Sequence, residues 1–485
     1  MDVSEFREFG KAVVDHIADY WESLPNRHAL PVVKPGDIAK SLPSKAPVKG
    51  EHWEEILKDI DSIIQPGLTH WQSPNFHGYF PSGHSFPSIV GELLTAGFGC
   101  MAFNWMGSPA GTELEITMMN WLGQALGLPQ YFLNCDEGPG GGVIHGSASE
   151  AVLVALLAAR DKTLNSFINK QNGVRRSNLR ENLVAYTSDQ ANSCIEKAAK
   201  IASVTIKQLK THNCQLRGST LRDEIFKDKA NGFVPCIVIA TMGTTGTCAC
   251  DCLDEIGQIC KEENIWFHID AAYAGSAMIC PEYRPFMGGV ELSDSINVSP
   301  HKWMLVNYDC TATWFRDHRY VIDSIGVKRV YLDDQSSEYG IDYHNWQTPL
   351  GRRIRSIKLW FVLRSYGIEG IQRYIRNHVA LAKYFEQLVN TDSRFEVCSS
   401  CMGLVSFRLK RRNSLTELLL KTIIDDGKYY YTPYKIGNKF VIRFAVCTRI
   451  TKSEDIKNAW NAIVDYTNTM QWDLNGTHNG FIKSI

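Results

Sequence analysis

The chain has 485 residues, with Lys plus Arg at 51 against Asp plus Glu at 52, a formal net charge of -1. That balance excludes a long-range electrostatic pull toward DNA, RNA or an anionic membrane. A 44% hydrophobic and 21% charged composition excludes extensive disorder. The length predicts about three units at ~150 residues each. Arg175, Arg176 and Arg180 form one small basic patch that reads as a solvated loop. The 14 cysteines read as dispersed reduced thiols, because a chain of this size needs no disulfide staples. Cys248, Cys250, Cys252 and Cys260 are not followed by histidines at a zinc-finger spacing, so no metal site is expected. The start, MDVSEFREFG, is acidic and amphipathic rather than a secretion signal, which predicts a cytoplasmic protein and an unused sequon at Asn475. No apolar run reaches the ~20 residues of a membrane span. The longest weakly polar stretch, 89–105, reads as a buried small-residue helix and loop.

In chain order, Phe6, Val13, Val14, Ile17, Tyr20 and Trp21 give residues 1–24 the spacing of an amphipathic helix. Residues 31–47 hold four prolines and read as an extended connector, and 53–64 as a second helix. This first segment, 1–85, has little core of its own and is expected to wrap another surface. Over 86–380, β-branched runs alternate with helical ones. Residues 183–187, 236–240 and 265–269 read as strands, with helices over 193–202 and 253–262 between them. This rhythm predicts an α/β domain with a mostly parallel sheet covered on both faces and ligands at the strands' carboxyl ends. Residues 381–485 read as a small α+β domain, with strands near 395–397, 403–409 and 440–445, helices over 375–389, 416–424 and 453–466, and a polar tail after Thr469.

Three features carry chemistry. Lys302 sits in an apolar, aromatic setting, Ser299-Pro300-His301-Lys302-Trp303, where desolvation favours the free amine that a Schiff base needs; a structural lysine is the alternative. Asp270 closes the strand of His268-Ile269-Asp270, a costly place for a carboxylate unless a cation meets it. A pyridinium nitrogen is such a partner, and a cap on the next helix is the alternative. The glycines and hydroxyls of 140–149 lead into a helix at Ala151 and make an anion site. Together they supply anchors for the ring nitrogen, the aldehyde and the phosphate of one cofactor, pyridoxal phosphate.

The chain also carries HWQSPNFHGYFP (70–81), SPAGTELE (108–115), GGGVIHGSASEA (140–151), AYTSDQANS (185–193), HIDAAYAGSA (268–277), SPHKW (299–303) and PLGRR (349–353). In these ordered motifs it resembles the group II pyridoxal phosphate decarboxylases, especially the animal aromatic L-amino acid decarboxylases, over about residues 1 to 468. The resemblance implies the fold type I of pyridoxal phosphate enzymes and a homodimer with the active site at the subunit interface. It implies that Lys302 binds the cofactor covalently, that Asp270 keeps its ring nitrogen protonated, and that Ser147, Ala148 and Ser149 cradle its phosphate. His301, Thr245 and Ala272 match residues beside the cofactor. Trp71, Tyr79, Phe80, Pro81, Phe103 and Leu350 match an aromatic substrate pocket, with Ser82 where threonine is usual. Tyr331 matches a loop tyrosine that protonates the carbanion left when CO2 departs.

One position departs from the decarboxylase pattern. Asn192, in TSDQAN, stands where those enzymes have a histidine stacked on the cofactor. An imidazole is flat and titrates near pH 6.5; a carboxamide does neither. Asparagine here resembles the insect aromatic acetaldehyde synthases. This implies that dopa is decarboxylated and then oxidised by O2 to an aldehyde, with CO2, ammonia and hydrogen peroxide released. The alternatives are an ordinary decarboxylase that makes dopamine or a related arylalkylamine, a pseudoenzyme and an aminotransferase. His145 and Gly246 depart from the usual pattern too, with no role read for them.

Overall fold

The computed structural model describes residues 1–135, 138–170, 176–327 and 341–470. The chain divides into two compact units, one of residues 82–380 and one that joins 1–81 to 381–485.

The larger unit is built on a seven-stranded sheet. Its strands are β1 (Gly141–His145), β2 (Leu183–Ser188), β3 (Thr205–Leu209), β4 (Val234–Thr241), β5 (Trp266–Asp270), β6 (Ser295–Val298) and β7 (Thr311–Phe315), in the order β1-β7-β6-β5-β4-β2-β3. β7 runs antiparallel to both β1 and β6, and every other pairing is parallel. β2, β5 and β6 are buried along their whole length, as expected where helices cover both faces. β3 sits at the edge and carries Lys207 and Gln208, which blunts it against pairing with another chain. Helices Ala148–Lys170, Ser193–Ala202 and Leu253–Glu263 follow β1, β2 and β4.

Two expectations need correction. Gly141 and Gly142 belong to a strand, not to an anion-binding loop. A Cβ on Gly142 would lie 2.5 Å from Met119 Cε and 2.8 Å from Trp314 Cδ1, so the glycine lets β1 pack closely on its neighbours. Helix Phe86–Phe98 buries only Ser88, Gly91 and Thr95, and Phe86, Val90, Leu93 and Phe98 are exposed in the single chain. Its small residues face inward because Gly91 lies against the Lys358 backbone, where a Cβ would come within 2.6 Å. That leaves the large side chains outward.

Two of the sequence motifs meet beneath β1. Glu115, on helix Pro109–Leu126, and Arg352 form an ion pair at 2.7 Å, with side-chain exposures of 1% and 0%. Glu115 accepts from the Ile144 N–H at 2.8 Å, and Arg352 donates to the Ile144 carbonyl at 3.1 Å. The pair therefore fixes the strand that ends at the Ser147–Ser149 turn.

The smaller unit holds an antiparallel sheet of β8 (Phe395–Cys401), β9 (Leu404–Leu409), β10 (Thr432–Ile436) and β11 (Lys439–Ala445). Helices Asn413–Asp426 and Ser453–Thr469 pack with it around Phe385, Phe407, Phe444 and Trp460. The amino-terminal segment joins this unit through backbone bonds. The Ala29 N–H donates to the Lys428 carbonyl, and the His77 N–H to the Tyr430 carbonyl. Helix Val3–Ser23 starts at a capping box of Asp2 and Glu5 and buries only Trp21, on which Arg449 stacks at 4.7 Å.

Removing one partner of a buried ion pair leaves the other charge uncompensated, at about 3–5 kcal/mol. Arg352→Met should therefore destabilise the protein by that order in thermal or urea unfolding. The double variant with Glu115→Leu should be the milder of the two.

Candidate active site

β1, β2, β4, β5 and β6 all point the same way, so the residues that follow their carboxyl ends gather along one edge of the sheet. Those residues are Ser147–Ser149 after β1, Asn192 after β2, Thr245 after β4, Asp270 at the end of β5 and Lys302 after β6. Five segments far apart in sequence are brought together by topology alone.

Asp270 is only 5% exposed. Its Oδ1 accepts from the Ala272 N–H at 3.1 Å and the Asn297 amide at 3.0 Å. Both donors are neutral, so they solvate the charge without cancelling it. The Ser299 N–H donates to the Ala272 carbonyl at 3.1 Å, which ties the Asp270 turn to the Lys302 turn. The Tyr273 and Trp303 rings stack at 4.7 Å. Cys194 marks how tightly these groups converge. Burial, together with the nearby charge of Asp270, pushes its thiol up to about 12, while Lys302 opposes the shift and the Ser149 side chain bonds to it.

Asn192 caps helix Ser193–Ala202. Its Oδ1 accepts from the Cys194 N–H at 3.0 Å, and its amide donates to the Thr245 hydroxyl at 3.1 Å. Ser147 caps the helix that begins at Ala148 by accepting from the Glu150 N–H at 3.2 Å. The first N–H groups of that helix have no intrahelical acceptor, which suits an anion. His301 Nδ1 accepts from the Cys310 N–H at 2.9 Å, so its proton belongs on Nε2. Burial, reinforced by Lys302, lowers its pKa to about 3.

The residues expected to hold substrate fall in both units. In the larger, Ser82 precedes Gly83, whose N–H donates to the His301 carbonyl. The Phe103 carbonyl accepts from the His344 N–H at 2.9 Å, and the neighbouring Ala102 N–H donates to the Arg352 carbonyl at 3.0 Å. Phe103 and the 48% exposed Leu350 therefore lie on tied segments. In the smaller unit, Trp71 and Tyr79 stack at 5.2 Å, the Tyr79 hydroxyl meets that of Tyr430 at 2.9 Å, and Arg443 lies 5.1 Å from the Phe80 ring, next to buried Pro81. Tyr331 lies outside the described residues.

The sequence reading missed the supports of these groups. His145 donates from Nε2 to the Trp346 carbonyl and accepts from the Thr313 hydroxyl, both at 2.9 Å. Glu150 accepts from the Gly146 N–H at 3.0 Å and from the Thr348 hydroxyl at 2.9 Å. Together they pin the segment before Leu350 to the Ser147 turn. The available signal was a buried histidine and a glutamate flanking a serine-rich turn. A cavity of about 860 Å³ lies elsewhere, at the amino ends of β4 and β5 among Lys162, Phe233, Val234, Trp266 and Tyr320, and holds none of the predicted residues. Among the described residues no cluster of three or more His, Cys, Asp or Glu could hold a metal, and no helix is long and apolar enough to cross a membrane.

The donor set fits pyridoxal phosphate. A buried carboxylate with neutral donors suits the ring nitrogen, a lysine in the same cluster suits the aldehyde, and a capped helix start suits the phosphate.

The buried histidines give this fold a pH dependence. Burial lowers the pKa of His70, His77, His145, His268, His301 and His318, to about 4 at His77 and His268. Unfolded histidine titrates near 6.5, so as pH falls below that value the unfolded chain takes up protons that the folded one refuses. Stability present above pH 6.5 is then lost toward pH 4, at roughly 1.4 kcal/mol per pH unit for each fully linked histidine. Asp251, raised to about 6 by burial, opposes this as a single group. Unfolding followed by calorimetry should show stability falling between pH 6.5 and 4.5; a flat or rising profile would contradict the assignment.

Comparisons with known proteins give the family of the chain. Residues 35–410 match the model of the pyridoxal-dependent decarboxylase conserved domain. The chain is 48% identical over 474 residues to the aromatic-L-amino-acid decarboxylase of Rattus norvegicus, covering 97% of this chain and 99% of that one. It is 46% identical over 473 residues to the 3,4-dihydroxyphenylacetaldehyde synthase of Aedes aegypti, covering 97% and 91%. Its fold matches a crystal structure of Oryza sativa TDC with PLP and tryptamine at a TM-score of 0.93 and 36% identity, over 96% of this chain and 98% of that one. With the fold type I architecture and these matches in agreement, the chain belongs to the pyridoxal-dependent decarboxylases, in their aromatic amino acid branch.

Proposed function

We propose that the protein is an aromatic acetaldehyde synthase. It converts dopa, O2 and water into 3,4-dihydroxyphenylacetaldehyde, CO2, ammonia and hydrogen peroxide. Pyridoxal phosphate is its cofactor and O2 its co-substrate. Lys302 holds the cofactor covalently, Asp270 faces its ring nitrogen, and Ser147, Ala148 and Ser149 hold its phosphate. His301, Thr245 and Ala272 line it. Trp71, Tyr79, Phe80, Pro81, Ser82, Phe103 and Leu350 are the proposed substrate-binding residues. The exposed apolar residues Phe86, Val90, Leu93 and Phe98 support a homodimer.

The observation that carries this reading is Asn192. Bound pyridoxal phosphate supplies an electron sink for the pair released when CO2 leaves. The product is then decided by whether a proton or O2 reaches the substrate Cα first. Asn192 has no proton of useful acidity to give. Its oxygen is engaged by the Cys194 N–H and its amide by the Thr245 hydroxyl. A histidine at this place would be a titratable donor. About 1.4 kcal/mol between the two barriers changes the product ratio tenfold, so one side chain is enough to redirect it.

The second reading is an ordinary aromatic amino acid decarboxylase. Its supporting observation is the cap itself, since asparagine is among the best helix N-cap residues and has a structural use here whatever the product.

Dopa supplied in air distinguishes the two. Aldehyde and peroxide formed in step with CO2 are expected; dopamine without peroxide would establish the second reading. Asn192→His should raise the amine-to-aldehyde ratio about tenfold and, by weakening the cap, cost about 1 kcal/mol of stability. A stability loss with an unchanged ratio would leave Asn192 as a cap alone.

A further inference from the structure

β5 and β6 are parallel and in a register that sets His268 beside Ser295 and Asp270 beside Asn297. Side chains on one face of a strand recur every second residue, so polar groups at 266, 268 and 270 meet polar groups at 295 and 297 across the pair. All five are 5% exposed or less. The Trp266 indole N–H donates to Ser295 Oγ at 2.8 Å, and Ser295 Oγ meets His268 Nδ1 at 2.8 Å. His268 Nε2 meets Asn297 Oδ1 at 2.9 Å, and the Asn297 amide donates to Asp270 Oδ1 at 3.0 Å.

The two ends dictate every proton between them. A carboxylate only accepts, so Asn297 turns its NH2 to Asp270 and its oxygen to His268. That oxygen requires the His268 proton on Nε2, which leaves Nδ1 as an acceptor. The Ser295 hydroxyl must therefore donate to Nδ1, and it accepts from the indole, which can only donate. The chain reads Trp266 to Ser295 to His268 to Asn297 to Asp270, with one arrangement of hydrogens along it. Hydrogen bonds aligned in this way polarise one another in a dry interior.

We propose that Trp266, Ser295, His268 and Asn297 are positioning residues that deliver an oriented, neutral hydrogen-bond chain to Asp270. The chain holds the carboxylate plane in one orientation, so that Asp270 presents a fixed acceptor to the ring nitrogen of the bound cofactor. Donation to one oxygen stabilises the anion, and the neutrality of the donors leaves its full charge facing a cationic ring. This inference rests on the reading of Asp270 as the partner of the ring nitrogen.

The test uses the protein loaded with pyridoxal phosphate and reads two quantities, the dissociation constant of the cofactor and the pH titration of its visible absorption band. His268→Leu cuts the chain at its centre. It should weaken cofactor binding about fivefold, the size expected for a lost hydrogen bond between neutral groups, and it should displace the titration. His268→Gln, which retains one N–H and one carbonyl, should restore most of both. Ser295→Ala removes a single hydroxyl at the far end and should shift both quantities in the same direction by a smaller factor. It decides the matter if His268→Leu does not fold. If Asp270→Asn changes both readouts and the chain variants stay within twofold of the parent, the positioning role is overturned while Asp270 keeps its part. If Asp270→Asn changes neither, the reading of Asp270 falls, and the positioning role falls with it.

Discussion

A carboxylate buried at the end of a central strand is the constraint on which this structure turns. Desolvating such a charge carries a penalty of several kcal/mol, and an unsupported one would protonate or disrupt the sheet. Asp270 is held through one oxygen, by a backbone N–H and a buried amide. That support exists only because β5 and β6 are parallel, in one register and covered on both faces. A slip of one residue would turn His268 and Asp270 to the opposite face and leave Ser295 and Asn297 without partners.

The same sheet direction explains why the other functional groups arrive beside Asp270. Each follows the carboxyl end of a parallel strand, and each is fixed by a local device. Ser147 and Asn192 cap the helices they precede, the Ser299 N–H locks the Lys302 turn to Ala272, and Glu150 and His145 brace the Ser147 turn from outside. Asn192 shows how structure and chemistry share a residue, since its side-chain oxygen makes the cap while its amide is held by the Thr245 hydroxyl.

Much of this was legible in the sequence. The strands at 183, 236 and 265 announced themselves through β-branched runs, and the Lys302, Asp270 and Ser147 motifs lie at the carboxyl-end edge of the sheet where ligands were expected. The strand Gly141–His145 was not legible. Glycine has low strand propensity, and its use here depends on Met119 and Trp314, which are close only in three dimensions. The exposure of Phe86, Val90, Leu93 and Phe98 was hidden for a similar reason, because the composition of a helix does not say which face a distant backbone at Lys358 will claim. The chain from Trp266 to Asp270 required the pairing of two strands some thirty residues apart. Polar residues at alternate positions of apolar strands were its only trace in the sequence.

Asp270, supported by neutral donors, is proposed to keep a bound pyridine nitrogen protonated. Nitrogen NMR of the protein loaded with pyridoxal phosphate labelled at the ring nitrogen measures this directly. The account predicts the chemical shift of a protonated ring nitrogen, retained from neutral to mildly alkaline pH and lost in Asp270→Ala. An unprotonated shift in the intact protein at neutral pH would contradict it.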